Sequence, residues 1–229
     1  MRCIFPPEVK GTPTLDNLVE RLLKLDTCAV SDACDRLGLP GSVLGLVPMS
    51  PPAKIAGRIV TVKLGDANGR TATRHLCTGA IEAANAGDVI VIENPRTDAA
   101  GWGGILSSAA KVKGVAGVVC GGAARDIDES REMGFQVFAR NAVQRTARGR
   151  IIEESFNEPI DIQGVTVSPN DLVLADGSGV VFLTADKAEE ILQSAEMIAG
   201  REAKMRADVE AGNPVSEVMG RDYETMLQR

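Results

Sequence analysis

An arginine and an aspartate in series, Arg125-Asp126, are the residues of this sequence best placed to do chemistry. They end the run Gly117-Val-Val-Cys-Gly-Gly-Ala-Ala-Arg-Asp-Ile-Asp-Glu129, which passes from an apolar strand through glycines into the start of a helix. A carboxylate there can hold Mg2+ or Mn2+, and a planar guanidinium can pair with the oxygens of an anionic oxo acid. The first N–H groups of the helix add positive potential at the same place. The same two residues are equally compatible with an N-capping Asp beside an exposed Arg.

A second glycine-rich junction, Gly101-Trp-Gly-Gly-Ile-Leu-Ser107, also precedes a predicted helix. Without side chains at Gly103 and Gly104, backbone N–H groups could approach a carboxylate closely. Two such helix starts after neighbouring parallel strands should face one crevice; the alternative is a tight turn packed by Trp102. Neither junction has G-x-G-x-x-G spacing, which disfavours a nucleotide. His75 is the only histidine. It falls in a predicted amphipathic helix and is expected to be a surface or packing residue, and His75 with Cys77 gives two metal ligands, too few for a closed site. No G-x-S-x-G elbow supports a serine hydrolase, and lysines are few near the glycine junctions, so Schiff-base chemistry is less attractive than metal activation.

The elements that must carry these residues follow from periodicity. Leu15, Leu18, Val19, Leu22, Leu23 and Leu25 predict a helix after a Thr14 cap, and a second runs over Val30 to Leu37 before Gly38-Leu-Pro-Gly41 stops it. A Pro-rich connector (Pro48, Pro51, Pro52) leads to a strand over Arg58 to Leu64, an Asn68-Gly69 turn and a helix carrying Leu76, Ala80, Ile81 and Ala84. An alternating region follows: strand Asp88–Glu93, a loop to Gly104, a helix to about Lys113, strand Val115–Cys120, helix Asp126–Met133 and strand Gln136–Arg140. Apolar strands separated by short helices predict a mostly parallel sheet. Five short strands between Ile151 and Leu183, two of them joined by a turn at Asp176-Gly-Ser-Gly179, predict a small antiparallel sheet. A long, mostly polar helix from about Asp186 closes the pattern.

Of 229 residues 44% are apolar, enough for a sizeable core. A net charge of −6 sets the overall field against phosphate backbones, so nucleic acid is not an expected partner. Five cysteines with no C-x-x-C predict reduced thiols, and no run of about 18 apolar residues or signal-peptide core occurs, so no membrane partner is expected and the protein should be cytoplasmic.

Six segments taken together carry a family likeness: Val30-Ser-Asp-Ala-Cys-Asp-Arg-Leu37, Ala86-Gly-Asp-Val-Ile-Val91, Trp102-Gly-Gly-Ile-Leu106, Gly121-Gly-Ala-Ala-Arg-Asp126, Phe135-Gln-Val-Phe-Ala139 and Asn170-Asp-Leu-Val-Leu-Ala-Asp-Gly-Ser-Gly-Val180. They resemble the RraA-like family, which includes metal-dependent 4-hydroxy-4-methyl-2-oxoglutarate/4-carboxy-4-hydroxy-2-oxoadipate aldolases and regulators of ribonuclease E. The resemblance spans almost the whole chain. It implies an α/β fold, a compact α/β/β sandwich of swivelling-domain type with N-terminal helices (14–38) and a C-terminal helical extension (186–229), forming one domain over 1–229. It also implies a homotrimer or hexamer with sites between subunits.

By this likeness Arg125 would bind substrate, Asp126 would hold Mg2+ (or Mn2+), and the backbone of Gly103, Gly104, Ile105 and Leu106 would grip the carboxylate of a 2-oxo acid. The family's aldolases also use an acidic residue from a neighbouring subunit's terminal helix, here Glu202 or Glu196. One departure stands out: the aldolases show D-x20-R-D, and counting back from Arg125 places Gly104 where the first Asp would be. The water-orienting carboxylate is then missing or supplied by Asp98 or Glu129. The implied activity is a class II pyruvate aldolase, a lyase cleaving a 4-hydroxy-2-oxo dicarboxylic acid to pyruvate and a second oxo acid, with oxaloacetate decarboxylase activity beside it. A non-catalytic, protein-binding regulator of ribonuclease E is the competing class.

Overall fold

A computed structural model describes residues 16–50 and 54–220. Helix α1 (Asn17–Leu22) is capped by Asp16, whose carboxylate accepts the Leu18 N–H at 3.0 Å. The expected cap Thr14 and first apolar residue Leu15 lie outside the described residues, as do Pro51 and Pro52. Helix α2 (Thr27–Leu37) starts three residues before the apolar period suggested, because Asp26 accepts the Ala29 N–H at 2.8 Å. It ends, as expected, on Gly38 in the left-handed region.

Strands β1 (Ser42–Val43) and β2 (Val47–Pro48) precede the long β3 (Ile55–Asp66). Then come α3 (Thr78–Ala83), β4 (Val89–Glu93), β5 (Ala100–Trp102), α4 (Gly104–Lys113), β6 (Gly117–Ala124), α5 (Ile127–Glu132) and β7 (Gln136–Ala142). The chain continues through β8 (Ile151–Phe156), β9 (Ile160–Ile162), β10 (Val165–Val167), β11 (Leu172–Ala175), β12 (Val180–Leu183), α6 (Ala188–Glu210) and α7 (Val215–Val218).

Strands β3, β4, β6 and β7 are parallel neighbours, with β5 paired on β6. The expected separate antiparallel sheet is corrected: only β9 and β10 stand apart, while β8, β11, β12 and β1 join the main sheet. The cause is the length of β3. Its first four residues pair with β11, Ile59 to Lys63 pair with β4, and its far end pairs with β8. One strand thus joins the parallel core to an antiparallel flank.

Both faces of the parallel strands are buried, which explains their unbroken apolar runs. In β4, Ile90 and Ile92 face a core under α3 and α4, whereas Val89 and Val91 face the β9–β10 hairpin. A third core lies between β11–β12 and helices α1, α2 and α6, with Leu22, Val30, Leu172 and Ile191 at its centre. Helix layer, sheet and hairpin make this the α/β sandwich the resemblance implied. The last buried residue of α6 is Ile198, and from Gly200 onward the helix leaves the core. Among the described residues no helix is long and apolar enough to cross a membrane.

Candidate active site

The glycines before Arg125 are not in a loop, as the sequence suggested. Gly121 and Gly122 lie inside β6, where the pairing with β7 slips between Cys120 and Ala123. A Cβ on Gly122 would overlap the Arg96 carbonyl oxygen and sit 2.7 Å from Asn94 Nδ2, so chain packing requires the glycine. The strand then delivers Arg125 and Asp126 to its C-terminal edge.

Asp126 does not cap α5: it adopts φ 56°, ψ 40°, and its side chain makes no cap hydrogen bond. Its carboxylate turns instead to the other junction, where Oδ2 accepts the Gly104 N–H at 3.0 Å and lies 3.2 Å from Arg125 Nε. A non-glycine residue held in the left-handed region is strained backbone of the kind that collects at functional sites. The capping alternative is thereby set aside. Helix α5 has only six residues, so the first turn of α4 is the more substantial helix start here, and its leading N–H already serves Asp126.

A chain of buried hydrogen bonds fixes the two junctions to each other. Trp102 Nε1 donates to Ser107 Oγ at 2.8 Å, Ser107 Oγ meets Ser130 Oγ at 2.9 Å, and Ser130 Oγ donates to the Asp126 carbonyl at 3.3 Å. Trp102, stacked on Phe135 at 6.2 Å, is core as well as scaffold. The Arg125 N–H also donates to the Trp102 carbonyl at 3.0 Å. Strand β5 and these serines were not foreseen, since a three-residue strand and a serine on a helix carry no sequence pattern of their own.

Gly103, Gly104, Ile105 and Leu106 line one cavity of about 270 Å³ together with Arg125, Asp126 and Glu129. A Cβ on Gly104 would overlap Glu129 Oε2 and lie 3.2 Å from Asp126 Cβ. The Glu129 carboxylate therefore fills the space a side chain at position 104 would occupy. Asp98, the other candidate for that carboxylate, is elsewhere: Arg96 and Arg145 hold it, and the Arg96 hydrogen bonds bring its pKa down to about 2. Glu196 is clasped by Arg21 through both oxygens, at 2.7 and 2.9 Å. Glu202 does not line the Arg125 cavity of its own chain; burial, with Asp26 and Asp32 nearby, raises its pKa. His75 is not on a helix but in the turn before α3, and it lines this same cavity.

Among the described residues no group of three or more His, Cys, Asp or Glu is placed to hold a metal ion. Asp126 and Glu129 nevertheless stand at neighbouring positions, the Asp126 carboxylate over Gly103 and on the Gly104 N–H, the Glu129 carboxylate over Gly104. Mg2+ is commonly held by one or two carboxylates, its remaining positions filled by water and substrate oxygens. The donor set fits such a hard cation and not a closed zinc cage.

Fold and site define an α/β protein with a carboxylate pair and a guanidinium between two helix starts at the C-terminal edge of parallel strands. The chain belongs to the RraA-like family, described as Aldolase/RraA, whose pattern matches residues 27–182. It is 30% identical over 200 residues to a Halalkalibacterium halodurans protein provisionally named a 4-hydroxy-4-methyl-2-oxoglutarate aldolase, covering 85% of this chain and 86% of that one. Protein DlpA of Legionella pneumophila is 27% identical over 205 residues, 89% of this chain, which spans only 33% of DlpA's length. The crystal structure of Streptomyces coelicolor RraAS2, described as an unusual member of the RNase ES inhibitor RraA family, matches with a TM-score of 0.74 and 25% identity, over 87% of this chain and 99% of that one.

Proposed function

We propose that the protein is a divalent-metal-dependent lyase that cleaves a 4-hydroxy-2-oxo dicarboxylic acid to pyruvate and a second oxo acid. The observation that carries this reading is the Glu129 carboxylate standing over Gly104, beside Asp126 and Arg125. It restores an acid where the aldolase pattern needs one, from a position three residues after Asp126 instead of at 104.

Asp126 would hold Mg2+ or Mn2+ with water and substrate oxygens beside it, and the cation would draw charge from the 2-oxo group as the C–C bond breaks. Arg125 pairs with the carboxylate and keto oxygens of the pyruvyl end, bidentate geometry that also fixes its orientation. Free N–H groups in the first turn of α4 add donors there. Glu129 orients a water that takes the C4-hydroxyl proton. The C3–C4 bond then breaks, its electron pair passes to the 2-oxo oxygen as the enolate of pyruvate, and protonation at C3 completes the product. Oxaloacetate would lose CO2 through the same enolate.

In the proposed assembly, a cytoplasmic homotrimer or hexamer, the distal half of α6 carries Glu202 to a neighbouring subunit's cavity. Its departure from the core after Ile198 supports this. Purified protein incubated with 4-hydroxy-2-oxo dicarboxylates or oxaloacetate, with Mg2+ or with EDTA, should release pyruvate only with metal. The likeness to RraAS2 favours one second reading, a regulator that binds a ribonuclease. Inhibition of ribonuclease E at stoichiometric protein, with no turnover of any substrate, would establish it instead.

A further inference from the structure

His75 hangs from an anchored turn. Glu153, its side chain 3% exposed, accepts the Cys77 N–H at 2.6 Å and pairs with Arg74. Arg74 in turn lies over the Phe156 ring, 4.8 Å from its centroid. Cys77 has φ 64°, and its buried thiol donates to the Gly101 carbonyl at 3.8 Å. The imidazole projects from this turn, exposed, into the wall of the cavity that holds Arg125 and Asp126.

Two features of the ring and its surroundings point to a ligand. His75 Nδ1 is 3.1 Å from the Leu76 carbonyl oxygen, which can only accept, so Nδ1–H donates there, and in the imidazolium the Nε2–H is the donor left for an anionic partner. Of the side chains lining the cavity, only Arg125 and His75 can carry positive charge, while Asp126 and Glu129 are acidic. A substrate with two carboxylates has one guanidinium for its first and, besides His75, no lining cation for its second.

Spacing supports the same match. The thiol contact places the His75 turn at Gly101, and Asp126 and Glu129 stand at Gly103 and Gly104. The chain between is extended: β5, then Gly103 at φ −159°, ψ −178°. Three extended residues span roughly 10 Å, enough to hold a short dicarboxylic acid by both ends.

We propose that His75 binds, through Nε2, the carboxylate of a 2-oxo dicarboxylic acid that lies farther from its 2-oxo group, and so selects dicarboxylic over monocarboxylic 2-oxo acids. The proposal rests on the reading of Arg125 and Asp126 as the pyruvyl end of the site. Oxaloacetate decarboxylation and exchange of pyruvate methyl hydrogens with D2O report the two substrate classes at one site. In His75→Gln and His75→Ala the ratio of kcat/KM for oxaloacetate to that for pyruvate should fall at least about tenfold, through KM for oxaloacetate, as one charge-assisted hydrogen bond is lost. An unchanged ratio, or a loss confined to kcat, overturns the assignment.

A readout independent of turnover uses the lone histidine, whose Hε1 NMR signal needs no assignment in tag-free protein. With Mg2+ present, 2-oxoglutarate should shift it, and pyruvate should shift it much less. No response to 2-oxoglutarate overturns the role of His75 even in an active enzyme. If neither reaction occurs in the wild type, the lyase reading has failed, and this titration still decides the recognition proposal.

Discussion

Asp126 has an ordinary local role open to it, the N-cap of α5, and does not take it. A left-handed φ and a hydrogen bond to the opposite junction are what remain. Asn tolerates the same backbone region. Asp126→Asn should therefore melt within about 3 °C of wild type, yet lose metal-dependent pyruvate release by about 100-fold or more. Thermal melts and the coupled assay read the two effects separately. Moving the acid tests the Glu129 reading: Glu129→Ala should be nearly inactive, and adding Gly104→Asp should recover at least about tenfold, since one carboxylate then replaces the other in the same space. If the double variant is no better than Glu129→Ala, Glu129 has some other role. The Arg-Asp pair and the glycine junction were legible in the sequence because each stands between an apolar strand or loop and the start of a predicted helix. His75 was not, because a helical pattern from Leu76 onward hid a turn set by Cys77 and Glu153, which are 76 residues apart.

Among the elements, the turn of the hairpin β11–β12 is hydrogen-bonded to the start of α2 through one buried acid, beside the apolar core they share. Burial of Asp176 opposes its ionisation, but the Thr27 N–H at 2.9 Å, the Thr27 hydroxyl at 2.7 Å and the Ser178 N–H at 2.9 Å outweigh it, so the pKa is lowered. A carboxyl with a depressed folded pKa contributes stability that is complete above its unfolded pKa, near 3.9, and is lost as pH falls through the lower folded value. Denaturant midpoints from pH 7 down to pH 2 should show Asp176→Asn less stable at neutral pH and converging on wild type at the acid end. Parallel curves would mean the carboxylate charge contributes nothing. Glu153→Ala should cost about 1–3 kcal/mol, because it leaves the Cys77 N–H without its partner. The parallel core was legible from its doubly buried strands. The antiparallel flank was misplaced because strand partners depend on the length of β3, and its apolar run ends well inside its pairing range.

At the scale of the whole molecule, three cores hold one sheet between helices and hairpin, and beyond Ile198 no residue of α6 is fully buried. In the proposed assembly this stretch belongs to the neighbour's site, so Asp126→Asn and Glu202→Gln should complement each other. Co-expressed chains should form mixed oligomers whose activity stands well above either variant alone, and absence of recovery would make each site complete within one chain. The claim on which all of this depends is that Asp126, with Glu129 and Arg125, receives a cation and a 2-oxo acid. A crystal grown with Mn2+ and oxalate, a mimic of the pyruvate enolate, tests it directly. The expected result is an anomalous peak about 2.1 Å from an Asp126 carboxylate oxygen, with oxalate bridging it to the Arg125 guanidinium. An Asp126 still bonded only to the Gly104 N–H and Arg125, with manganese absent or bound elsewhere, would contradict the account.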